Sequence, residues 1–188
     1  MEGKLRVGVI GCGEISSNHV LGYLNSARYE IVALADLSEQ AMHDFDKQFS
    51  EHDDYKPEHF TDAREMLEKS ELDVVSVGVW DMGHAPMTIA AAASGVKAIL
   101  CEKPMSDTTG SAADMMLVCR RNGVKLAIGH QRRFLPAYNL AKQMIGDGEI
   151  GEPRLITTAA RDGLPNYSSH LADMYRCLLG DPECVGVM

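Results

Sequence analysis

The sequence lacks the features of several large classes of protein. No apolar run among its 188 residues is long enough to cross a bilayer, and the polar N-terminus shows no signal-peptide pattern. Basic residues are in the minority, with 18 Lys and Arg against 27 Asp and Glu and a net charge of -9. A nucleic-acid-binding protein is expected to present a basic face. We therefore predict neither nucleic-acid binding nor association with membranes.

The cysteines are scattered along the chain and follow no pattern. The five cysteines form no CxxC metal pair, and their odd number argues against a disulfide framework. A reducing compartment is the natural setting, so we expect a cytoplasmic protein without a metal site. The cysteines are Cys12, Cys101, Cys119, Cys177 and Cys184.

The content of 45% hydrophobic and 24% charged residues is ordinary for a globular protein.

A nucleotide-binding pattern begins near the N-terminus. Residues 5–10 form a short apolar run typical of a buried strand, and Gly11 follows it directly. Gly11 permits a tight turn, and Gly13 lets a pyrophosphate approach the N–H groups and positive dipole end of the next helix. Ser16 replaces the third glycine of the usual pattern and is small enough for close packing of helix and strand. The predicted cofactor-binding residues of this turn are Gly11, Gly13, Glu14 and Ile15.

Asp36 follows the second apolar run, at the spacing of about 20 residues that such nucleotide sites require. A carboxylate there bonds the ribose 2′-hydroxyl of NAD and repels the 2′-phosphate of NADP, and no arginine stands beside it. NAD is therefore expected in preference to NADP. The alternative is that Asp36 caps the next helix, although Ser38 could fill that role equally well.

The run Cys101-Glu102-Lys103-Pro104 ends another apolar segment. Open α/β sheets bind ligands at the carboxyl ends of their strands. A lysine held there by a proline, with a carboxylate beside it, suits the polarisation of a substrate hydroxyl or carbonyl. The alternative is a solvated surface turn, since short motifs give many false matches. We predict that Glu102 and Lys103 contact the cofactor and that Lys103 also contacts the substrate.

Apolar runs and helical patterns alternate along most of the chain. The runs are continuous, as in strands buried on both faces of a parallel sheet. The alternation indicates right-handed βαβ units in a doubly wound Rossmann α/β fold. The predicted strands are residues 5–10, 31–35, 74–79, 98–101 and 125–129, and residues 51–57 form a loop. The predicted helices are residues 15–24, 39–49, 63–69, 86–94, 110–121 and 136–145.

The pattern changes at residue 146. The glycine-rich run 146–153 indicates a linker, after which we predict a strand over 154–160, a turn at 162–165 and a helix over 167–179. The chain is therefore divided into a dinucleotide-binding Rossmann domain, residues 1–146, and a second part, residues 147–188. This second part comprises the linker and the start of an α+β substrate domain.

Several motifs together resemble one family. The glycine turn, Asp36, His84 before a helix, Glu102-Lys103-Pro104 and the run Gly129-His130-Gln131-Arg132-Arg133-Phe134 occur in order. They are similar to those of the Gfo/Idh/MocA oxidoreductases, which include glucose–fructose oxidoreductase and inositol dehydrogenase. The segment 166–173, with His170, and the run 179–183 continue the match. The resemblance covers nearly the whole chain.

The resemblance implies an NAD-dependent dehydrogenase. Such an enzyme transfers a hydride between the nicotinamide and a hydroxyl or ketone of a small sugar or cyclitol. Lys103 would bind the reacting oxygen, and His170 would be the general acid/base, since imidazole titrates near neutral pH. Trp80 and His84 would lie beside the nicotinamide. The alternative for each histidine is a polar residue at the start of a helix.

The family pattern also implies substrate contacts for Arg132 and Asn166, although Arg132 and Arg133 could equally be a solvated pair. Many members carry an aspartate where Asn166 stands, four residues before His170. An amide cannot stabilise an imidazolium as a carboxylate does, which leaves Asp162 and Asp173 as candidate replacements. A second departure is Trp80-Asp81, where a Pro-Asn pair is common.

The third departure is length. The family's second domain is a large open sheet that supplies much of the substrate wall and the homo-oligomer interface, and this sequence stops after its first strand and helix. We therefore predict poor turnover of sugars by these 188 residues alone. One alternative function is a non-catalytic nucleotide-binding module, and a weaker one is a glycoside hydrolase that uses NAD transiently.

Overall fold

The computed structural model describes residues 3–158 and 164–183, with the backbone alone for residues 164–167. Two compact units are present, Met1–Gly129 and His130–Met188. The first contains β1 (Leu5–Ile10), α1 (Glu14–Leu24), β2 (Tyr29–Ala35), α2 (Glu39–Lys47), β3 (Glu58–Phe60), α3 (Ala63–Lys69), β4 (Val74–Val77), α4 (Asp81–Ala93), β5 (Ala98–Cys101), α5 (Thr109–Arg121) and β6 (Lys125–Ile128). The second contains a 3₁₀ turn (Gln131–Phe134), α6 (Pro136–Gly146) and α7 (Leu164–Leu178). None of the described helices has both the length and the apolar character needed to cross a membrane.

The six strands form one parallel sheet in the order β3-β2-β1-β4-β5-β6. The chain adds strands on one side from β1 to β3 and on the other side from β4 to β6. The order therefore reverses between β1 and β4. In doubly wound sheets the loops that leave the two strands at such a point diverge and form a ligand-binding crevice. The predicted Rossmann α/β fold is confirmed.

Side chains of β1 enter two apolar layers, because successive residues of a strand point to opposite faces of the sheet. Val7 and Val9 are fully buried in a layer that contains Phe45 of α2. Ile10 belongs to a second layer, which contains Met115 of α5. Complete burial of one side chain of this size contributes about 1.5–3 kcal/mol. Helices thus cover both faces of the sheet, as a parallel sheet requires.

The strands and helices predicted up to residue 146 are present, although some of their ends differ. The three-residue strand β3 was not expected, because so short a segment has no recognisable period. Helix α4 begins at Asp81 rather than at Pro86, which lies inside it. Helix α7 begins at Leu164 rather than at residue 167.

The strand predicted over residues 154–160 is wrong for residues 154–158, which form neither strand nor helix. The rest of that segment lies outside the described residues. A strand needs a neighbour to satisfy its backbone N–H and C=O groups, and the described residues of the second unit include no other strand. The described elements of this unit are helical, and the α+β character of the substrate domain stays a prediction.

Candidate active site

A groove of about 840 Å³ opens above the carboxyl ends of β1, β2 and β4. It lies where the strand order reverses, and its volume is within the range of about 300–1,000 Å³ that is typical of ligand sites. Its walls come from the turn after β1, the end of β2 and the loop after β4. The predicted cofactor residues on these walls are Gly11, Gly13, Glu14, Ile15, Asp36 and Trp80.

Gly11 makes the turn from β1 into α1 possible. Its φ is +91°, a backbone conformation that side chains rarely allow. A Cβ at this position would also lie 2.6 Å from the carbonyl oxygen of Gly78, at the end of the neighbouring strand. The fold itself therefore requires glycine here, whether or not a ligand is bound.

Gly13 is glycine for a different reason. Its φ of -86° is open to any residue, and a Cβ placed on it would have no protein atom within 4 Å. Gly13 is the N-cap of α1, and among the described residues no side-chain cap closes the first turn of this helix. Uncapped N–H groups and the positive end of the helix dipole favour an anion. Space at Gly13 beside such a helix end fits the pyrophosphate of a dinucleotide.

Ser16, which replaces the third glycine of the pattern, is completely buried. A Cβ on Gly78 would collide with the Ser16 hydroxyl oxygen. The close approach of α1 to the sheet is therefore retained because the facing residue is glycine. The Ser16 hydroxyl has no hydrogen-bond partner among the described residues.

Asp36 is held beside the glycine turn. Its Oδ2 accepts a hydrogen bond of 2.8 Å from the Cys12 N–H, and its Oδ1 accepts one of 3.0 Å from the Ser38 N–H. The N-cap of α2 is Ser38, whose hydroxyl accepts a hydrogen bond of 3.2 Å from the Ala41 N–H. The alternative role of Asp36 as the N-cap is therefore excluded. Each carboxylate oxygen has more than one acceptor position, so a further donor such as a ribose hydroxyl can be accommodated.

Trp80 and His84 differ in their surroundings. The side chain of Trp80 is 89% exposed at the rim of the groove. His84 is buried, with Nδ1 2.6 Å from the carbonyl oxygen of Pro104 and Nε2 2.9 Å from that of Val79. His84 therefore links the loop after β4 to the loop after β5. It is not among the residues that line the groove.

Glu102 is a buried carboxylate with two contacts at the end of β5. Its Oε1 lies 3.0 Å from His19 Nε2, and its Oε2 accepts a hydrogen bond of 3.2 Å from the backbone N–H of Lys103. Burial on its own would raise the pKa of Glu102, but the His19 and Lys103 interactions outweigh it and hold the pKa below its ordinary value. The ionised carboxylate thus fixes the backbone that carries Lys103, whose side chain is half-buried.

His19 was missed from the sequence, although it lies on the helix that follows the glycine turn. Its contact with Glu102 joins α1 to a strand end far along the chain, so no local pattern reveals it. Gly129, at the end of β6, completes this arrangement, because a Cβ there would collide with the Glu102 carboxylate. The sequence offered one signal of the His19 contact, which is a polar residue on the buried side of α1.

His170 lies on α7 in the second unit and is buried. The ring of His130 meets it nearly perpendicularly, with 5.8 Å between the ring centroids and an interplanar angle of 88°. The side chain of Asn166 and the whole of Asp162 lie outside the described residues. The predicted role of Asn166 in binding substrate therefore stays a prediction.

Arg133 forms salt bridges with two carboxylates of the second unit. Its Nε lies 2.8 and 2.9 Å from the two carboxylate oxygens of Asp173. Its terminal nitrogens donate to Asp181 at 2.8 and 3.0 Å. Asp173 and Arg133 thus neutralise one another and link the 3₁₀ turn to α7. Arg132, in the same turn, is half-buried and remains the predicted substrate residue of the pair.

The chain belongs to the Gfo/Idh/MocA family, because residues 5–130 match the model of this oxidoreductase family with an NAD-binding Rossmann fold. The uncharacterized oxidoreductase YrbE of Bacillus subtilis is 29% identical over 195 aligned positions, which cover 96% of this chain and 55% of that protein. D-apiose dehydrogenase of Paraburkholderia graminis is also 29% identical, over 95% of this chain and 50% of its own length. The chain spans about half the length of the curated relatives it matches.

Solved structures agree with this assignment. The WlbA dehydrogenase of Bordetella pertussis, in complex with NADH and UDP-GlcNAcA, is 25% identical with a TM-score of 0.80, over 95% of this chain and 56% of that one. The scyllo-inositol dehydrogenase of Lactobacillus casei, with bound NAD(H) and scyllo-inositol, has a TM-score of 0.81 over 94% of this chain and 56% of that one. At 21% identity the second comparison shows the fold alone. The predictions of the family and of an NAD-type cofactor are confirmed.

Proposed function

We propose that this chain binds NAD in the groove and serves the dehydrogenation of a sugar or cyclitol hydroxyl, or the reverse reduction of the ketone. The bound dinucleotide would supply the hydride acceptor or donor. One observation carries the proposal. Gly13, Asp36 and Lys103 follow three different strands of one parallel sheet, so all three lie at its carboxyl edge.

Asp36 is proposed to select NAD over NADP. Support comes from its carboxylate, which two backbone N–H groups hold beside the glycine turn. The following residue, Leu37, is 94% exposed and carries no charge that could neutralise a 2′-phosphate. A 2′-phosphate beside Asp36 would therefore meet like charge.

Lys103 is proposed to donate a hydrogen bond to the reacting oxygen of the substrate and so to polarise it. Its backbone is held by Glu102, which is itself held by His19. The carboxylate is thereby occupied on both oxygens. This arrangement supports the proposed role, because the buried pair of Glu102 and His19 sets the position of the Lys103 backbone.

His170 is proposed as the general acid/base, and Arg132 and Asn166 as substrate contacts, on the basis of the family resemblance. The buried position of His170 beside His130 supports a defined ring orientation. Relatives that act on D-apiose and on inositol point to a small polyhydroxylated substrate. The scattered cysteines support a reducing compartment such as the cytoplasm.

The test is a Lys103→Met variant of the protein that the full reading frame encodes. We expect the rate of NADH formation from polyols to fall about 100-fold, because one electrostatic contact to the reacting oxygen is lost. The dissociation constant for NADH should stay within about twofold of the original, because the lysine acts on the substrate. Lys97→Met is the matched control, since Lys97 is an exposed lysine at the opposite end of the same strand.

A second function, a nucleotide-binding module without catalysis, is favoured by the groove itself, whose walls include the glycine turn and Asp36 but not Lys103. The two functions differ in one result. If NADH binds but no polyol yields NADH, or if Lys103→Met retains the full rate, the catalytic proposal is wrong. Loss of NADH binding in Lys103→Met would also contradict it, because the contact of Lys103 with the cofactor would then outweigh its action on the substrate.

A further inference from the structure

Two histidines and an aspartate meet where α2 faces the edge strand β3. His43, Asp46 and His59 each offer one ligand atom, and these atoms lie within 4.8 Å of one another. His59 Nε2 lies 2.7 Å from Asp46 Oδ2, and the rings of His43 and His59 have centroids 5.3 Å apart. We propose that these three residues bind a divalent transition-metal ion of the zinc class.

Secondary structure brings the three ligands together. His43 and Asp46 are three residues apart on α2, so they lie on the same face of the helix. His59 is the middle residue of β3. Both elements are anchored nearby, because Ser38 caps α2 and the carbonyl oxygen of Phe60 accepts a hydrogen bond from the backbone of Asp36. Ligands on anchored elements lose little freedom when an ion binds.

Tyr55 orients the carboxylate. Its hydroxyl donates a hydrogen bond of 2.9 Å to Asp46 Oδ1, which leaves Oδ2 directed towards His59. Tyr55 is buried, so its hydroxyl is held in place beside Asp46. Carboxylates that bind metals are usually held in this way by a partner outside the coordination sphere.

The donor set selects the kind of ion. Two imidazole nitrogens and one carboxylate oxygen suit zinc, cobalt and nickel, whereas magnesium and calcium prefer oxygen ligands. The side chains of Asp46 and His59 are 30% and 24% exposed, and His43 is exposed, so an ion can enter from solvent and add water as a fourth ligand.

Binding requires a small local adjustment. Ligand atoms around a tetrahedral zinc ion lie about 3.3 Å apart, given metal–ligand bonds of about 2.0–2.1 Å. The 2.7 Å separation between His59 and Asp46 must therefore widen by about 0.6 Å as the ion replaces their hydrogen bond. The wider separations in the cluster, which reach up to 4.8 Å, must shorten, and rotation of the exposed His43 side chain allows this. An ion in this position would join α2 to the edge strand. The three ligands are not among the residues that line the groove, so this role is separate from cofactor binding.

The experiment is a calorimetric titration of the whole chain with Zn²⁺ after treatment with EDTA, followed by a visible spectrum with Co²⁺. We expect one ion per chain in both. Asp46→Asn and His59→Gln should each weaken Zn²⁺ binding about 100-fold, and Tyr55→Phe should weaken it about tenfold. His52→Gln is the matched control, because it removes an exposed histidine outside the cluster and should change the affinity less than about twofold.

Three results would overturn the metal site. The first is a dissociation constant for Zn²⁺ weaker than about 0.1 mM. The second is wild-type affinity in Asp46→Asn or His59→Gln, which would leave Asp46 and His59 as a hydrogen-bonded pair alone. The third is weakening by His52→Gln as large as that by His59→Gln, which would place the ion elsewhere.

Discussion

His19 and Glu102 are joined across the first unit, with 3.0 Å between Nε2 and Oε1 and side chains only 10% and 6% exposed. The contact links α1, which follows the glycine turn, to the strand end that carries Lys103. A buried carboxylate is stable only when its oxygens have hydrogen-bond partners. The element that shapes the groove therefore also supports the position of the lysine.

The first prediction concerns His19. In His19→Ala, Glu102 keeps its charge but loses a buried partner, so the free energy of unfolding should fall by about 2 kcal/mol. The control is His52→Ala, at an exposed histidine, with an expected change within about 0.5 kcal/mol. Urea denaturation measures both. Equal losses in the two variants would show that the His19 contact contributes nothing.

The second prediction concerns pH. The pKa of Glu102 in the folded protein lies below its ordinary value of 4.5, so the unfolded chain takes up the proton first as the pH falls. The stability that Glu102 contributes is therefore complete above pH 4.5 and is lost as the pH falls below it. Compared with Glu102→Gln, the wild type should keep its advantage above pH 4.5 and lose it as the pH falls below that value. A difference between the two proteins that stays constant as the pH falls below 4.5 would contradict the assignment.

The third prediction separates the ligand from the fold at Gly13. Gly13→Val should leave the free energy of unfolding nearly unchanged, because no protein atom lies within 4 Å of the new Cβ. It should weaken NADH binding about 100-fold or more, because a side chain would occupy the approach to the helix N-terminus. Gly22→Val is the matched control, since Gly22 lies on the same helix and also has open space around it. Similar NADH affinities in the two variants would rule out a pyrophosphate at Gly13.

The fourth prediction concerns the buried hydroxyl of Ser16. No hydrogen-bond partner for it exists in the described part of the chain, and an unsatisfied buried polar group is destabilising. Ser16→Ala should therefore raise the free energy of unfolding by about 1 kcal/mol. Thermal denaturation measures the change. A lower stability in the variant would mean that the hydroxyl makes a contact that stabilises the fold.

The sequence predicted what depends on local order along the chain. The glycine turn and Asp36 are recognisable because a strand, a turn and a helix follow one another and a second strand ends in a carboxylate. The role of Ser38 as the N-cap was open, because two adjacent positions held good capping residues and only the backbone path distinguishes them.

The features that were missed depend on contacts between distant segments. His19 meets Glu102 only after α1 and β5 have packed on the same sheet. The cluster of His43, Asp46 and His59 requires β3, which is too short to show a period. The strand predicted over residues 154–160 is the opposite case. Its residues were suitable for a strand, but residues 154–158 form none, and the described residues of the second unit offer no partner strand.

The most direct test of the central claim is a calorimetric titration of this chain with NADH and with NADPH. We predict that NADH binds and that NADPH binds at least about tenfold more weakly, because Asp36 places a negative charge where a 2′-phosphate would lie. Asp36→Ala should reduce this ratio. No binding of NADH at millimolar concentration, or equal or tighter binding of NADPH, would contradict the assignment of the groove and of Asp36.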